Sequence, residues 1–404
     1  MDCGLATRKG GPVNAVMERT SAARVSRVAD PVRYLVVRAH PSPVAADAYN
    51  SQELGIASHL RAQGVRVTIA AAEQSTGADI GLRFASRVPS LARIANIADV
   101  DLAGYDVIQI SDLFLPGNLQ AVSRAPSTAR FILYQGHYWG PSGRARWLQL
   151  AQSRLTASRL RKHRHVVLAK SEAAARLAER CGLGPAIVVG VGLDTRRLLG
   201  ATMPLPAAVA RFLAEPGFVF LYVGALDARR RLDWVLPHLR APELRAARLL
   251  VVGRGPAHDC LMRDFGDLVA VGRVCFVDRL DQSQLLPAYS RANALVLPTR
   301  YEIFGMVGLE ALLFDVPVVA SDVAGPRALA ALAPERVTLV DPGESAAGWR
   351  RALLAATKAG SPKSGMRPDP ARIDEVSWCR PGRVFIEQIR RLTADVGAPG
   401  GPWP

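Results

Sequence analysis

From about residue 34 the chain alternates short, continuously apolar, β-branched runs with stretches of helical composition, and this rhythm restricts the fold more than any other feature. The first half offers YLVVRA (34–39), VRVTIAA (65–71), VIQIS (107–111), FILYQG (131–136), HVVLAKS (165–171) and IVVGVG (187–192). The second offers FVFLYVG (218–224), ARLLVVG (247–253), VCFVD (274–278), ALVLPT (294–299), VPVVASD (316–322) and RVTLVD (336–341). A strand that is apolar at every position is buried on both faces, as in a parallel sheet whose crossovers are helices. Strand–helix–strand repetition therefore predicts an α/β chain with two doubly wound, Rossmann-like domains of six strands each. Ligands of such sheets sit at the carboxyl ends of the strands, so two facing domains predict a ligand in the cleft between them.

Composition sets the boundaries. Residues 1–31 lack the continuous apolar core of a signal peptide and read as a disordered leader. The first domain is expected over 32–200. A linker at 201–210 falls within LLGATMPLPAAVA, rich in small residues and proline. The second domain is expected over 211–375. SWCRPGRVFIEQIRRL supplies a last helix at 376–395, and 396–404 read as a flexible tail. No run of eighteen uncharged apolar residues occurs, so no transmembrane helix is predicted. The five cysteines are scattered without a CxxC pair, which suits a reduced, cytoplasmic chain.

The net charge of +16 is unevenly spread. Between Asp112 and Glu172 no acid occurs, while ten Arg and Lys do, Arg144, Arg146, Arg154, Arg159, Arg161, Lys162 and Arg164 among them. Such a field attracts anions: nucleic acid, acidic lipid headgroups or phosphorylated substrates. No helix-turn-helix, zinc-finger or RNA-recognition motif accompanies it, and it is not interleaved with aromatic stacking platforms, so no nucleic acid is expected. WLQLAQSRLTASRL mixes apolar and basic residues at roughly helical spacing. Residues 144–164 are accordingly expected to contact an anionic membrane surface, peripherally and from the cytoplasmic side.

The chemistry concentrates in ALVLPTRYEIFGMVGLEALLFDVPVVASD. A buried strand ends at Pro298, a loop carries Glu302, and a helix is predicted to start near Phe304 to Met306. A helix N-terminus beside glycine is an anion site, because free backbone N–H groups and the helix dipole point to one spot. Carboxylates do not belong on a phosphate; Glu302 and Glu310 suit hydroxyl donors instead. One ligand holding both phosphate and polyol satisfies both requirements. A glycosidase also needs two acids, but those must flank one bond, and these two share a single loop–helix element.

This stretch resembles the E-x7-E signature of retaining glycosyltransferases of family 4, which have the GT-B fold. YVGALDARRRLD, VVGRGP, VCFVDRLDQSQLLPAYSRANALVLPT, VVGVGLDTRRL and YNSQELGIASHLRAQGVRV resemble further family segments, and the likeness spans roughly 34–394. It implies that Glu302 holds the transferred sugar and Glu310 the ribose of a nucleotide-diphosphate sugar. Backbone N–H groups of Phe304, Gly305 and Met306 would meet the sugar and distal phosphate. Arg230 would stabilise the leaving diphosphate, with Gly224 and Arg254 flanking the nucleotide. His137 would touch the donor sugar across the cleft. Asn50 and Ser51 would approach the phosphates or the acceptor. Ala225 stands where the family usually has an arginine. The last helix would pack back on the first domain.

The implied reaction is transfer to a glycan or lipid-linked acceptor with retention of configuration, and no metal or other cofactor is required. A nucleotide-sugar-binding protein with impaired catalysis, or a nucleotide-sugar epimerase on the same fold, remains the alternative.

Overall fold

The apolar runs form strands. In chain order these are β1 (Arg33–Val37), β2 (Arg66–Ala72), β3 (Ile80–Leu82), β4 (Phe84–Ala85), β5 (Ile94–Ala95), β6 (Val107–Ser111), β7 (Arg130–Gln135), β8 (Arg164–Ala169), β9 (Ile187–Val188), β10 (Phe218–Val223), β11 (Ala247–Val252), β12 (Val274–Val277), β13 (Ala294–Leu297), β14 (Val318–Ser321) and β15 (Val337–Val340). The computed structural model describes residues 30–44, 51–85, 94–138, 144–200, 203–342, 346–360 and 370–394. Val32–Pro404 form one unit.

Two sheets result, ordered β3-β2-β1-β6-β7-β8-β9 and β12-β11-β10-β13-β14-β15. Every strand pair within them is parallel. All six strands expected in the second half are present. The first half departs from expectation: β3 makes a seventh strand, and β4 and β5 add a small antiparallel pair. The reason is local. β3 is three residues long at a sheet edge, preceded by turn-forming GAD. Its start is set by Asp79, whose carboxylate accepts from the Ile69 amide at 2.8 Å. A segment that short leaves no periodicity to read.

Burial on both faces is visible in β10. Val219 and Leu221 enter one core cluster, while Phe220 and Tyr222 enter the cluster on the opposite face. The first sheet is covered on one face by the final helix, Cys379–Ala394. Its Phe385, Ile386, Ile389 and Leu392 pack with Tyr34, Val36, Ile69 and Tyr134. The Tyr134 and Phe385 rings meet edge-on at 5.2 Å.

The chain passes between the sheets beside Leu193 and returns beside Ser377. These two residues form an isolated parallel bridge, and the Leu193 amide donates to the Val376 carbonyl at 2.8 Å. Trp378 wedges against backbone there. A Cβ on Gly55 would lie 1.9 Å from its Cε2, and one on Gly192 2.8 Å from its Cα. A helix, Ala207–Ala214, begins inside the stretch expected as a linker, and the Met203 amide donates to the Ser283 carbonyl at 3.1 Å. The proposed leader up to residue 29 and the tail beyond 394 lie outside the described residues.

Candidate active site

The strand order of the second sheet reverses between β10 and β13, and the loops at their carboxyl ends bring the two halves of the site together. Thr299 pins the loop after β13: its amide donates to Ser321 Oγ at 2.8 Å and its hydroxyl to the Tyr301 carbonyl at 2.9 Å. Gly305 follows as N-cap of the helix Met306–Leu313, with φ 92° and no side-chain cap. That left-handed backbone is one a residue with Cβ adopts at a cost. The first amides of this helix are thus left for a ligand.

Glu302 is 8% exposed, and its Oε2 accepts from Arg230 Nη1. Arg230 rides on the turn after β10. There the Asp227 carboxylate accepts from the amides of Arg229 and Arg230 at 2.9 and 3.0 Å, fixing the turn that presents the guanidinium. The neighbouring arginines have local partners: Arg229 lies 3.8 Å from Asp227, and Arg231 donates to Asp233 at 2.8 Å. Ala225 is exposed, and its carbonyl accepts from the Tyr222 hydroxyl at 2.7 Å. Glu310 is 2% exposed and accepts from the Tyr289 hydroxyl at 2.8 Å. Tyr289 in turn stacks on Phe314 at 5.8 Å.

The first sheet contributes across the cleft. The Tyr138 hydroxyl donates to the Glu302 carbonyl at 3.0 Å and lies 3.3 Å from the Glu302 amide, from which it can accept. Burial pushes this phenol up to about 12, so it stays protonated and able to donate at neutral pH. Its ring stacks on Tyr301 at 4.5 Å. His137 Nδ1 lies 2.9 Å from the Tyr301 hydroxyl, and its Nε2 lies 3.3 Å from Gln149 Oε1. With that amide orientation Nε2 carries the proton and Nδ1 accepts from Tyr301. Burial lowers the His137 pKa, opposed by the nearby Asp112 charge and the Gln149 contact. The Asp112 carboxylate also accepts from the amides of Gly136 and His137 at 2.8 and 2.7 Å, which anchors this loop.

A second helix N-terminus points the same way. Ser51 caps the helix Gln52–Ala62, with Oγ accepting from the Leu54 amide at 3.4 Å. Gln52, 8% exposed, donates to the Gly192 carbonyl at 3.2 Å and lies 3.5 Å from Met306 Sδ. The starts of the helices Gln52–Ala62 and Met306–Leu313 therefore converge from opposite sheets. Each start carries the positive end of a helix dipole, a setting that favours an anion.

Of the residues expected from sequence, Arg230, Glu302, Phe304, Gly305, Met306, Glu310, His137 and Ser51 lie on these converging elements. Gly224 follows β10, packed so tightly that a Cβ on Gly253 would lie 1.8 Å from its carbonyl oxygen. Arg254 is exposed and lies 3.1 Å from Asp278, also exposed. Asn50 lies outside the described residues. Tyr138, Tyr301, Gln52 and Asp112 were not anticipated. The only trace in the sequence is aromatic and polar residues following predicted strands, in YQGHYWG and PTRYE. An Asp-x-Asp triplet, Asp99 to Asp101, lies after β5, where Asp101 Oδ1 accepts from the Ala103 and Gly104 amides at 3.0 and 3.3 Å. No group of three potential metal ligands occurs among the described residues.

Known proteins share the fold and part of the sequence. Residues 217–358 match the family described as Glycosyl transferases group 1. Glycogen synthase of Mycobacterium tuberculosis is 32% identical over 193 residues, 43% of this chain and 44% of that protein. The chain thus spans less than half the length of that relative. D-inositol 3-phosphate glycosyltransferase of Kineococcus radiotolerans is 27% identical over 445 residues, covering 92% of this chain and 98% of that protein. Among solved structures, sucrose-phosphate synthase from Thermosynechococcus elongatus superposes with a TM-score of 0.64 at 18% identity, covering 90% of this chain and 99% of that one. Anabaena HepE in complex with UDP and glucose superposes with a TM-score of 0.58 at 16% identity, covering 89% and 100%. The two parallel-sheet, Rossmann-like halves are the GT-B fold of these neighbours.

Proposed function

We propose that this chain is a retaining glycosyltransferase that takes a sugar from a nucleotide-diphosphate donor and passes it to a glycan or lipid-linked acceptor. One observation carries the reading: the Arg230–Glu302 pair sits beside the point where two helix N-termini from opposite sheets converge. The helix starts and Arg230 take the diphosphate and the charge that develops on it as the glycosidic bond breaks. Glu302, released from Arg230 by the incoming phosphate, accepts from sugar hydroxyls. Glu310 accepts from the ribose alongside Tyr289. His137 and Tyr138 close the sugar side. The family match over 217–358 and the UDP-bound structural neighbour support a nucleotide donor.

Calorimetry with UDP, GDP and ADP on the wild type and Glu310→Gln tests the donor site. One nucleotide should bind at least tenfold tighter than the others, and the variant should weaken it by roughly tenfold. If none binds, the reading fails. Ala225, exposed where a second cation is expected, favours one rival: a donor-binding protein without turnover. Binding without glycoside product across acceptors would establish it.

The basic helix Arg144–Leu160 suits a membrane-proximal acceptor. Trp147 and Leu148 are 70% and 71% exposed, and Arg146, Arg154 and Arg159 are exposed on the same helix. This combination fits an anionic lipid surface. The wild type should sediment with anionic vesicles at low salt and Trp147→Ser/Leu148→Ser should not; failure of the wild type to do so ends the membrane proposal.

A further inference from the structure

A cavity of about 450 Å³ lies between the two halves, behind the Phe304 ring and apart from the Arg230–Glu302 pair. Lys170 after β8 and Gly190 after β9 line it from the first half, and Arg327 on the helix Ala324–Leu332 from the second. Arg176 and Arg380 complete a set of four cations. Two of the four are matched. Arg176 lies 3.8 Å from Glu172, and Arg327 is held by Asp322 at 2.5 and 3.0 Å. Lys170 and Arg380 have no carboxylate partner among the described residues. Lys170 Nζ instead stands 4.6 Å from the centroid of the Tyr134 ring, whose hydroxyl donates to the Gly190 carbonyl at 2.7 Å.

Gly190 keeps the space open. Its φ is +72°, and a Cβ there would approach the Phe304 ring at 3.5 Å and Arg380 Nη1 at 3.8 Å. The volume falls within the range of small-molecule sites. Two unmatched cations facing one cavity with an aromatic wall ask for a dianion attached to an organic body. A carboxylate would satisfy only one of them. A phosphate monoester offers about two charges and three acceptor oxygens, enough for the Arg380 fork and the Lys170 ammonium together.

We propose that this cavity is a second anion site, separate from the donor site, which binds a phosphate monoester. If the proposed transferase reading holds, that phosphate belongs to the acceptor, because Phe304 contributes to both sites and places the two ligands side by side. The binding itself does not depend on that reading. The phosphate source is a soluble sugar or polyol phosphate, or a lipid headgroup presented at a surface.

The test is calorimetry of the full chain with glycerol 1-phosphate, with glycerol as the neutral control, and flotation with phosphatidic acid vesicles against phosphatidylcholine vesicles. At least one phosphate monoester form should bind and its neutral control should not, with affinity falling as salt rises. Lys170→Met and Arg380→Met should each weaken it by roughly tenfold or more. Both should leave UDP, GDP or ADP binding unchanged, which also shows that the variants are folded. Binding of glycerol 1-phosphate marks a soluble source; binding of phosphatidic acid vesicles alone marks a lipid one. No binding of either form, or variants that bind like the wild type, overturns the proposal. If phosphate monoesters bind while no nucleotide does, the cavity stands and the donor reading falls.

Discussion

At the scale of single residues, position 225 and Tyr138 carry the sharpest consequences. Ala225 is exposed at the mouth of the turn that presents Arg230, so a longer side chain there has room. Ala225→Arg should tighten binding of the preferred nucleoside diphosphate by about tenfold, as expected for one added charge-assisted contact. Calorimetry reads this directly, and unchanged affinity would show that the position does not face the diphosphate. The Tyr138 hydroxyl serves both the amide and the carbonyl of Glu302 from the opposite sheet. Tyr138→Phe keeps the stack on Tyr301 but removes that bridge, and should lower stability by about 0.5–1.5 kcal/mol in urea denaturation. On the proposed function turnover should fall more than nucleotide affinity, because the lost contact holds the backbone of Glu302 and not Glu310. An equal fall in both would argue against that division.

At the scale of elements, the helix Gln52–Ala62 is seated by the absence of a side chain. Gly55 lies flat against Trp378, so Gly55→Ala must displace the indole or the helix. A loss of about 1–3 kcal/mol is expected. Gly55→Ala/Trp378→Leu should recover part of it in thermal melts, and strict additivity would rule out the steric account. Legibility in the sequence follows the same line between long and local signals. The buried strands announced themselves as apolar runs, and Glu302, Gly305 and Glu310 were readable because one continuous loop–helix segment carries them. β3 was too short to show a period. Gln52, Asp112, Tyr138 and Tyr301 act through contacts between segments 24 to 254 residues apart, such as Gln52 with Met306 and Asp112 with the Gly136–His137 amides. No local pattern encodes that kind of meeting.

At the scale of the whole molecule, burial lowers the pKa of His40, His59, His137, His165 and His238. The unfolded chain, with histidines near 6.5, then binds more protons than the folded one as pH falls below that value. Stability is therefore full above about pH 6.5 and declines as pH drops toward the lowered folded values. Aspartates whose pKa is lowered by arginine partners, such as Asp322, add their loss only nearer pH 4. Melting temperature should be flat from pH 8 to 7 and fall between 6.5 and 5, with His137→Gln showing a shallower fall. A profile that rises on acidification would contradict this.

The final helix, Cys379–Ala394, completes the core of the first sheet, so order of synthesis and order of folding part company. When β1 to β9 leave the ribosome, the face formed by Tyr34, Val36 and Tyr134 has only part of its cover, from Ile56 and Leu60, until Phe385 and Ile389 have been made. The segment from the helix Ala207–Ala214 through β15 waits for less, since one of its core clusters closes within residues 218–356 and the other takes only Val376 and Ile373 from the chain beyond. The half translated second is expected to become protease-resistant first. Limited proteolysis of released chains ending at residue 360 should show protection within 207–359 and cleavage within 52–200, and the reverse pattern would refute that order. During that interval the nascent chain carries an apolar sheet face into the cell's traffic of chaperones and neighbours.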